Sequence, residues 1–276
     1  MRYKYLMLLM MPVLLLSCKK EKGTTDHLPP PPVDTTTAPV LLKEITIPLV
    51  PSPYYHFEYN AAGKPIFVSF ASGFTMYDII YDGGRISEMR NNIVINKDRL
   101  QYTYDNKGRV LFIQYTDSTG VFFAESFFTY NENKLVKIER FHTQGQGTVV
   151  DRVMTMTYGA GDNLAELTIH EPSVNGSAEL TTVDRFEQYD NKINVDGFGL
   201  LHPDFFEHLF LLPGVKLQKN NPGKLTRSGD GANYTIDYTY TYDSKNLPLI
   251  KTGELLFLTG NNAGQSFTES TIYTYY

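Results

Sequence analysis

Chemistry in this chain of 276 residues has few places to come from. Cys18 is the single cysteine, so neither an internal disulfide nor a cysteine-rich zinc site is available, and the thiol itself is a candidate for covalent modification. His202 and His208, with Asp204 and Glu207 between them, could be drawn as a metal cluster. Six-residue spacing puts the two histidines about 240° apart on a helix, however, so they face different ways and read as surface or capping residues. Glu166 and Glu171 are near neighbours in sequence, but glycosidase chemistry needs two carboxyls at a set separation across a cleft. Asp82, Asp105, Asp190 and Asp243 recur at one place in a repeated pattern, which points to a shared role in turns rather than to one activated carboxylate. Gly159-Ala160-Gly161 and Gly145-Gln146-Gly147 lack the third glycine and the following helix of a dinucleotide site. The chain contains no phosphate-cradling Gly-x-x-x-x-Gly-Lys-Ser/Thr, no Gly-x-Ser-x-Gly and no His-Glu-x-x-His. The expectation is no catalytic residue, no metal and no cofactor.

The aromatic inventory is what remains: 20 Tyr, 17 Phe and no Trp. Tyrosines on a curved sheet could stack on sugar rings or take up an apolar ligand, or they could form a core and a cross-strand ladder. Net charge is −5, and −7 once a leader holding Arg2 and Lys4 is removed. A nucleic-acid binder needs a basic face to displace counterions, so no nucleic-acid partner is expected.

The first 17 residues have the three parts of an export signal: Arg2 and Lys4, an apolar run over 6–16, and small Ser17 before Cys18. The apolar run is too short to span a bilayer as a helix and is interrupted by Pro12. Leu15-Leu16-Ser17-Cys18 resembles the lipobox of bacterial lipoproteins. That resemblance implies a signal peptide 1–17 that is cleaved and a lipid carried on Cys18. Acyl chains bury methylenes at about 0.8 kcal/mol each, so more than one chain anchors firmly, and the membrane becomes a partner without being crossed. Residues 18–39 then hold the lipidated cysteine and a Pro/Thr-rich flexible linker, with four prolines over 29–32 and threonines at 35–37. At about 3.1 Å per residue in polyproline form, the linker could set the domain on the order of 60 Å from the lipid.

From residue 40 to 276 the chain repeats itself as one β-repeat domain. An alternating aromatic strand leads to Tyr-Asp or Tyr-Asn, a polar turn, a cation and a second apolar strand. The clearest copy is Tyr104-Asp105-Asn106-Lys107-Gly108-Arg109, and others begin at Tyr59, Tyr81, Tyr130, Tyr158, Tyr189 and Tyr242. The first six tyrosines are 22, 23, 26, 28 and 31 residues apart, and the gap of 53 to Tyr242 points to a degenerate copy at Asn221-Pro222-Gly223-Lys224. Asp or Asn accepts from backbone amides two residues on, and Gly supplies positive φ. Tyr234–Tyr242 alternates Tyr or Ile with Thr or Asp, one face for a core and one for water. Seven or eight units predict an all-β, up-and-down antiparallel meander of about 14–16 strands. Twist and exposed edges should curl it into a barrel-like sheet. One short helix is expected near 203–211, from Pro203, Asp204 in the first turn and Pro213-Gly214 beyond, plugging or capping the sheet.

The Tyr-Asp-x-x-Gly-Arg units resemble the YD repeats of the Rhs family. The chain over 45–276 is also similar to a Bacteroidetes lipoprotein family with YD-like β-repeats and a porin-like fold. That likeness is carried by Tyr189-Asp190-Asn191-Lys192-Ile193-Asn194, by the turn at 220–226 and by the strand Tyr238 to Tyr242. It implies a fold and an outer-membrane location and assigns no activity. A spanning barrel needs an apolar outer row on each strand, which Thr and Asp of Tyr234–Tyr242 do not provide. The leading expectation is a lipid-anchored envelope protein with a non-catalytic binding or scaffold role. The alternatives are a glycan-binding accessory lipoprotein using exposed tyrosines, and a hydrolase with its site at the mouth of the curved sheet.

Overall fold

Aromatic and β-branched side chains alternating with Thr, Glu, Asp and Lys suit a sheet with one dry and one wet face, and the chain forms strands almost end to end. The computed structural model describes residues 40–93, 97–145, 147–195, 200–201 and 210–276. Residues 1–39, with Cys18 and the leader and linker read from the sequence, lie outside these, as do His202, Asp204, Glu207 and His208. The strands are β1 (Leu42–Thr46), β2 (Tyr55–Tyr59), β3 (Pro65–Phe70), β4 (Thr75–Asp82), β5 (Arg85–Asn91) and β6 (Arg99–Tyr104). Then come β7 (Val110–Thr116), β8 (Phe122–Asn131), β9 (Lys134–Gln144), β10 (Gly147–Tyr158), β11 (Leu164–Glu171) and β12 (Leu180–Glu187). A short pair, β13 (Leu200–Leu201) and β14 (Phe210–Leu211), precedes β15 (Lys224–Gly229), β16 (Tyr234–Tyr242), β17 (Pro248–Phe257) and β18 (Ser266–Tyr275).

All but β13 and β14 form one closed barrel of sixteen antiparallel strands in meander order, sealed where β1 pairs with β18 (Leu42 opposite Tyr275, Thr46 opposite Ile272). The sheet therefore curls to full closure, and no edge is left to invite aggregation. The tyrosine-containing turns gather at one rim, here the repeat rim, together with the start of β1 and the end of β18.

Most hairpins at the repeat rim carry the same irregularity, the regularly paired β12 and β15 excepted. Pairing slips by one residue just before the tyrosine, at Glu58/Tyr59, Ile80/Tyr81, Thr103/Tyr104, Thr129/Tyr130 and Thr241/Tyr242. The extra residue on the returning strand is Ile66, Ser87, Leu111, Val136 and Leu249 respectively. Such a bulge disrupts the ladder locally and re-aims side chains, which is why Ile66, Leu111 and Leu249 are exposed beside buried neighbours.

Inward positions form an apolar core that includes Val68, Met89, Leu100, Ile113, Ile138 and Met154. Outward positions carry charge pairs, along one strand for Glu88 with Arg90 at 2.9 Å and Lys137 with Glu139 at 2.7 Å, and across strands for Glu88 with Arg99 at 3.7 Å and Arg185 with Glu166 at 2.9 Å. The apolar core and outer charge pairs differ from the polar lumen and continuous apolar outer band of a lipid-spanning barrel, although Ile250, Leu256 and Ile272 are exposed on β17 and β18. Among the described residues no helix is long and apolar enough to cross a membrane.

The interior is filled in part by the excursion between β12 and β15. Phe210, Leu211, Leu212 and Val215 are buried in the barrel core. Phe210 meets Tyr115 and Phe128 edge-on at 6.5 and 5.9 Å, and the Tyr102 hydroxyl donates to the Leu211 carbonyl at 3.0 Å. The expected plug is therefore present. Its expected helix over 203–211 falls mostly outside the described residues, and the last two positions, Phe210 and Leu211, form a strand paired with β13 instead of a helical turn.

Candidate functional site

The repeated turn explains itself at atomic scale. The Asp105 carboxylate accepts from the backbone amides of Lys107 and Arg109, both at 2.9 Å, and from the Arg109 guanidinium at 2.6 Å. Burial pushes its pKa up, and these donors outweigh that and hold it below the usual range. Asn60 and Asp243 make the same pair of amide contacts two and four residues on. In five of the units the tyrosine then ties back to the unit before, whereas the buried Tyr130 hydroxyl makes no such bond. Hydroxyls of Tyr59, Tyr81, Tyr104, Tyr158 and Tyr189 donate to the carbonyls of Leu42, Pro65, Ile86, Leu135 and Leu164, at 2.6–2.8 Å. These carbonyls flank the bulges, where the ladder is disturbed. Burial pushes the Tyr59, Tyr81 and Tyr158 phenols up to about 12.

The cation after four of the turns reaches forward in the same way. Lys64 lies 5.3 Å from the centroid of the Tyr81 ring and donates to the Gly84 carbonyl at 2.9 Å. Arg85 covers Tyr104 at 5.5 Å, Arg109 covers Tyr130 at 4.5 Å and bonds the Glu132 carbonyl, and Lys134 covers Tyr158 at 5.2 Å and meets Asp162 at 2.5 Å. Lys134 and then Lys219 hold the exposed Asp162 carboxyl down at about 2. Sequence reading found the cation's position without its role, because its partner lies one repeat further on.

The supposed degenerate copy at 221–224 is corrected by the hydrogen bonds. Asp190 donates its amide to the Asn221 carbonyl and accepts the Asn221 amide on its carboxylate, each at 3.0 Å, as Asp105 does with Arg109. Asn221 thus stands where residue 194 would in an uninterrupted turn. The unit at Tyr189 is a single hairpin with 27 added residues, and without them the 53-residue gap becomes 26, within the range of the others. The plug is an insertion inside one repeat turn.

The tyrosine stripe turns inward. On β16, Tyr240 donates to the Pro222 carbonyl at 3.0 Å and Tyr242 bonds the Asp190 carboxylate, while Asp237, Thr239 and Thr241 face out. Glu166 and Glu171 sit on opposite faces of the regular strand β11: Glu166 pairs outside with Arg185 and Glu171 bonds Arg152. The structure does not bring these two carboxyls together. Asp184, buried, is held in a bidentate pair by Arg227 at 2.6 and 2.7 Å, and Arg140, buried, by Asp151 at 2.6 and 2.8 Å. Among the described residues no group of three or more potential metal ligands converges.

What the interior does offer is a cavity of about 640 Å³ at the repeat rim, between the plug and the inner face of β1 to β6, with Lys251 of β17 and Thr271 of β18 also in its wall. Its walls are Val40, Ile45, Phe57, Ile86 and the rings of Tyr59, Tyr81 and Tyr104, and buried Leu211 and Leu212 of the plug close it. Lys64, Arg85 and Lys251 are its charged lining residues. The sequence singled out the tyrosines; the cavity escaped it because the side that closes it comes from the insertion.

The chain matches no protein-family model and none of the curated proteins. Two solved structures share its fold. A porin-like protein from Bacteroides uniformis superposes with TM-score 0.57 at 18% identity, over 80% of this chain and 89% of that one. A porin-like protein from Bacteroides vulgatus gives 0.54 at 13% identity, over 86% and 99%. The expected porin-like architecture is thus met in proteins of Bacteroides.

Proposed function

We propose that this chain is a lipid-anchored binding protein of the Gram-negative cell envelope, non-catalytic, held at the outer membrane through Cys18 with its barrel outside the bilayer. In this reading the tyrosine units are YD repeats of the Rhs kind, here closing a small barrel around a plug. The single observation that carries the binding role is the apolar cavity at the repeat rim, since a pure scaffold has no use for a hollow of ligand size. The tether supports its placement: Val40, where the proposed linker meets the barrel, is itself a cavity wall. The charged exterior supports a barrel that sits in water instead of lipid. The likeness to porin-like proteins of Bacteroides agrees with an envelope setting. Glycan stacking would need tyrosines displayed outside, whereas those of the repeats point inward.

The test is fractionation of cells carrying the chain and its Cys18→Ser variant. The unaltered chain should sediment with the outer membrane, and the variant should appear in the soluble fraction, folded and without detergent. A variant retained in the membrane overturns the lipid anchor; one soluble only in detergent overturns the aqueous barrel.

A further inference from the structure

The cavity's lining has a charge that the rest of the molecule does not. The chain carries a net −5, yet the cavity is lined by Lys64, Arg85 and Lys251 and by no aspartate or glutamate among the described residues. Three of its lining tyrosines have committed polar tips: Tyr59, Tyr81 and Tyr104 each donate to a backbone carbonyl, so they offer a ligand ring surface and little else. A sugar, needing many hydrogen bonds, would lose its water there with poor compensation. Two of the three positive groups, Lys64 and Arg85, stand at the rim turns, Lys251 lies further in opposite Thr271, and the plug contributes the apolar Leu211 and Leu212. The mouth thus carries two cations, and the plug side offers an apolar surface.

We propose that this cavity binds an amphiphile with an apolar tail and an anionic head, the tail running toward Leu211 and Leu212 and the head meeting Lys64 at the rim. The inference rests on the binding role above and names its ligand class. Lys64 suits the task because its ammonium has three donors and spends one on the Gly84 carbonyl. A volume of about 640 Å³ falls within the roughly 300–1,000 Å³ of ordinary small-molecule sites. A free long-chain carboxylate and the monoacyl phosphate of a degraded phospholipid share this chemistry.

The experiment uses the full Cys18→Ser chain, titrated calorimetrically below the micelle concentration with four ligands sharing a twelve-carbon tail. These are dodecanoate, the lysophosphatidate, dodecyl maltoside and dodecyltrimethylammonium. At least one anionic ligand should bind about tenfold more tightly than the neutral and cationic ones, the better of the two identifying the source of the head. Lys64→Ala should weaken the anionic ligand about tenfold and leave the maltoside unchanged, as expected for loss of one charge-assisted contact. Val40→Trp, which fills the mouth, should abolish binding while the barrel's melting temperature is kept. Equal affinity for all heads, no binding of either anion, or binding unaffected by Val40→Trp overturns the proposal. The comparison of heads on the unsubstituted barrel decides it even if a variant fails to fold. Since membrane release by Cys18→Ser is read separately, failure here leaves the anchor standing, and equal binding of the maltoside leaves a binding barrel without anion preference.

Discussion

At the scale of single residues, the unit Tyr104-Asp105-Asn106-Lys107-Gly108-Arg109 separates what a sequence can say from what it cannot. Asp105 and Gly108 act on neighbours two to four residues away, so their roles follow from local rules. Arg85 acts on Tyr104 across a rim, and nothing local announces that. Gly108 serves both arrangements: its φ is +81°, and a Cβ there would stand 2.7 Å from the Arg85 guanidinium. Gly120 supplies the control, with φ +85° and open space around it. Gly120→Ala should cost about 1–2 kcal/mol, the strain of left-handed backbone alone. Gly108→Ala should cost about 0.5–1 kcal/mol more, because the guanidinium is pushed off the tyrosine ring. Urea unfolding in an Arg85→Ala background should erase that difference. Equal costs for the two glycines in the native background would show that the forward-reaching cation contributes nothing.

At the scale of elements, strand periodicity and turn chemistry made the hairpins legible, and the bulges beside most of the repeat tyrosines were not. A bulge needs the two strands to be placed in register before the odd residue can be seen. The same limit turned the gap after Tyr189 into a supposed extra repeat, when Asp190 and Asn221 in fact close one turn around an insertion. That reading gives the plug a clean excision. Replacing residues 191–220 with Asn-Lys-Gly, the three residues between Asp105 and Arg109, should leave a turn of standard length and a closed sheet with unchanged far-UV circular dichroism. The barrel should nevertheless lose several kcal/mol, since Phe210, Leu211, Leu212 and Val215 each remove on the order of 1.5–3 kcal/mol of burial. Tyr102 also loses its carbonyl partner on Leu211. Hydrophobic dye binding should rise as the emptied interior admits solvent. Unchanged urea stability with no dye uptake would mean that the insertion lies loosely over the barrel instead of filling it.

At the scale of the whole molecule, closure turns a local habit into a collective property. Sixteen strands in a ring present their tyrosines to one interior, and burial raises the phenol pKa in all of those tied back across the repeat rim, to about 12 for Tyr59, Tyr81 and Tyr158. Tyr102, Tyr104, Tyr115 and Tyr189 are pushed up by the same cause. An unfolded chain loses these protons near pH 10, whereas the folded barrel keeps them. Above that pH the unfolded state therefore binds fewer protons, and stability must fall as pH rises. The contribution is complete below pH 10 and is lost as pH rises through about 12. Because these phenols share one closed core, they should ionise together. Tyrosinate absorbance at 295 nm, followed against pH, should lag well behind that of the urea-unfolded chain, then rise steeply between about pH 10 and 12 in step with loss of the β signal. A broad titration centred near pH 10 with the β signal intact would place the tyrosines in water and remove the inward-facing core on which the cavity and its ligand both depend.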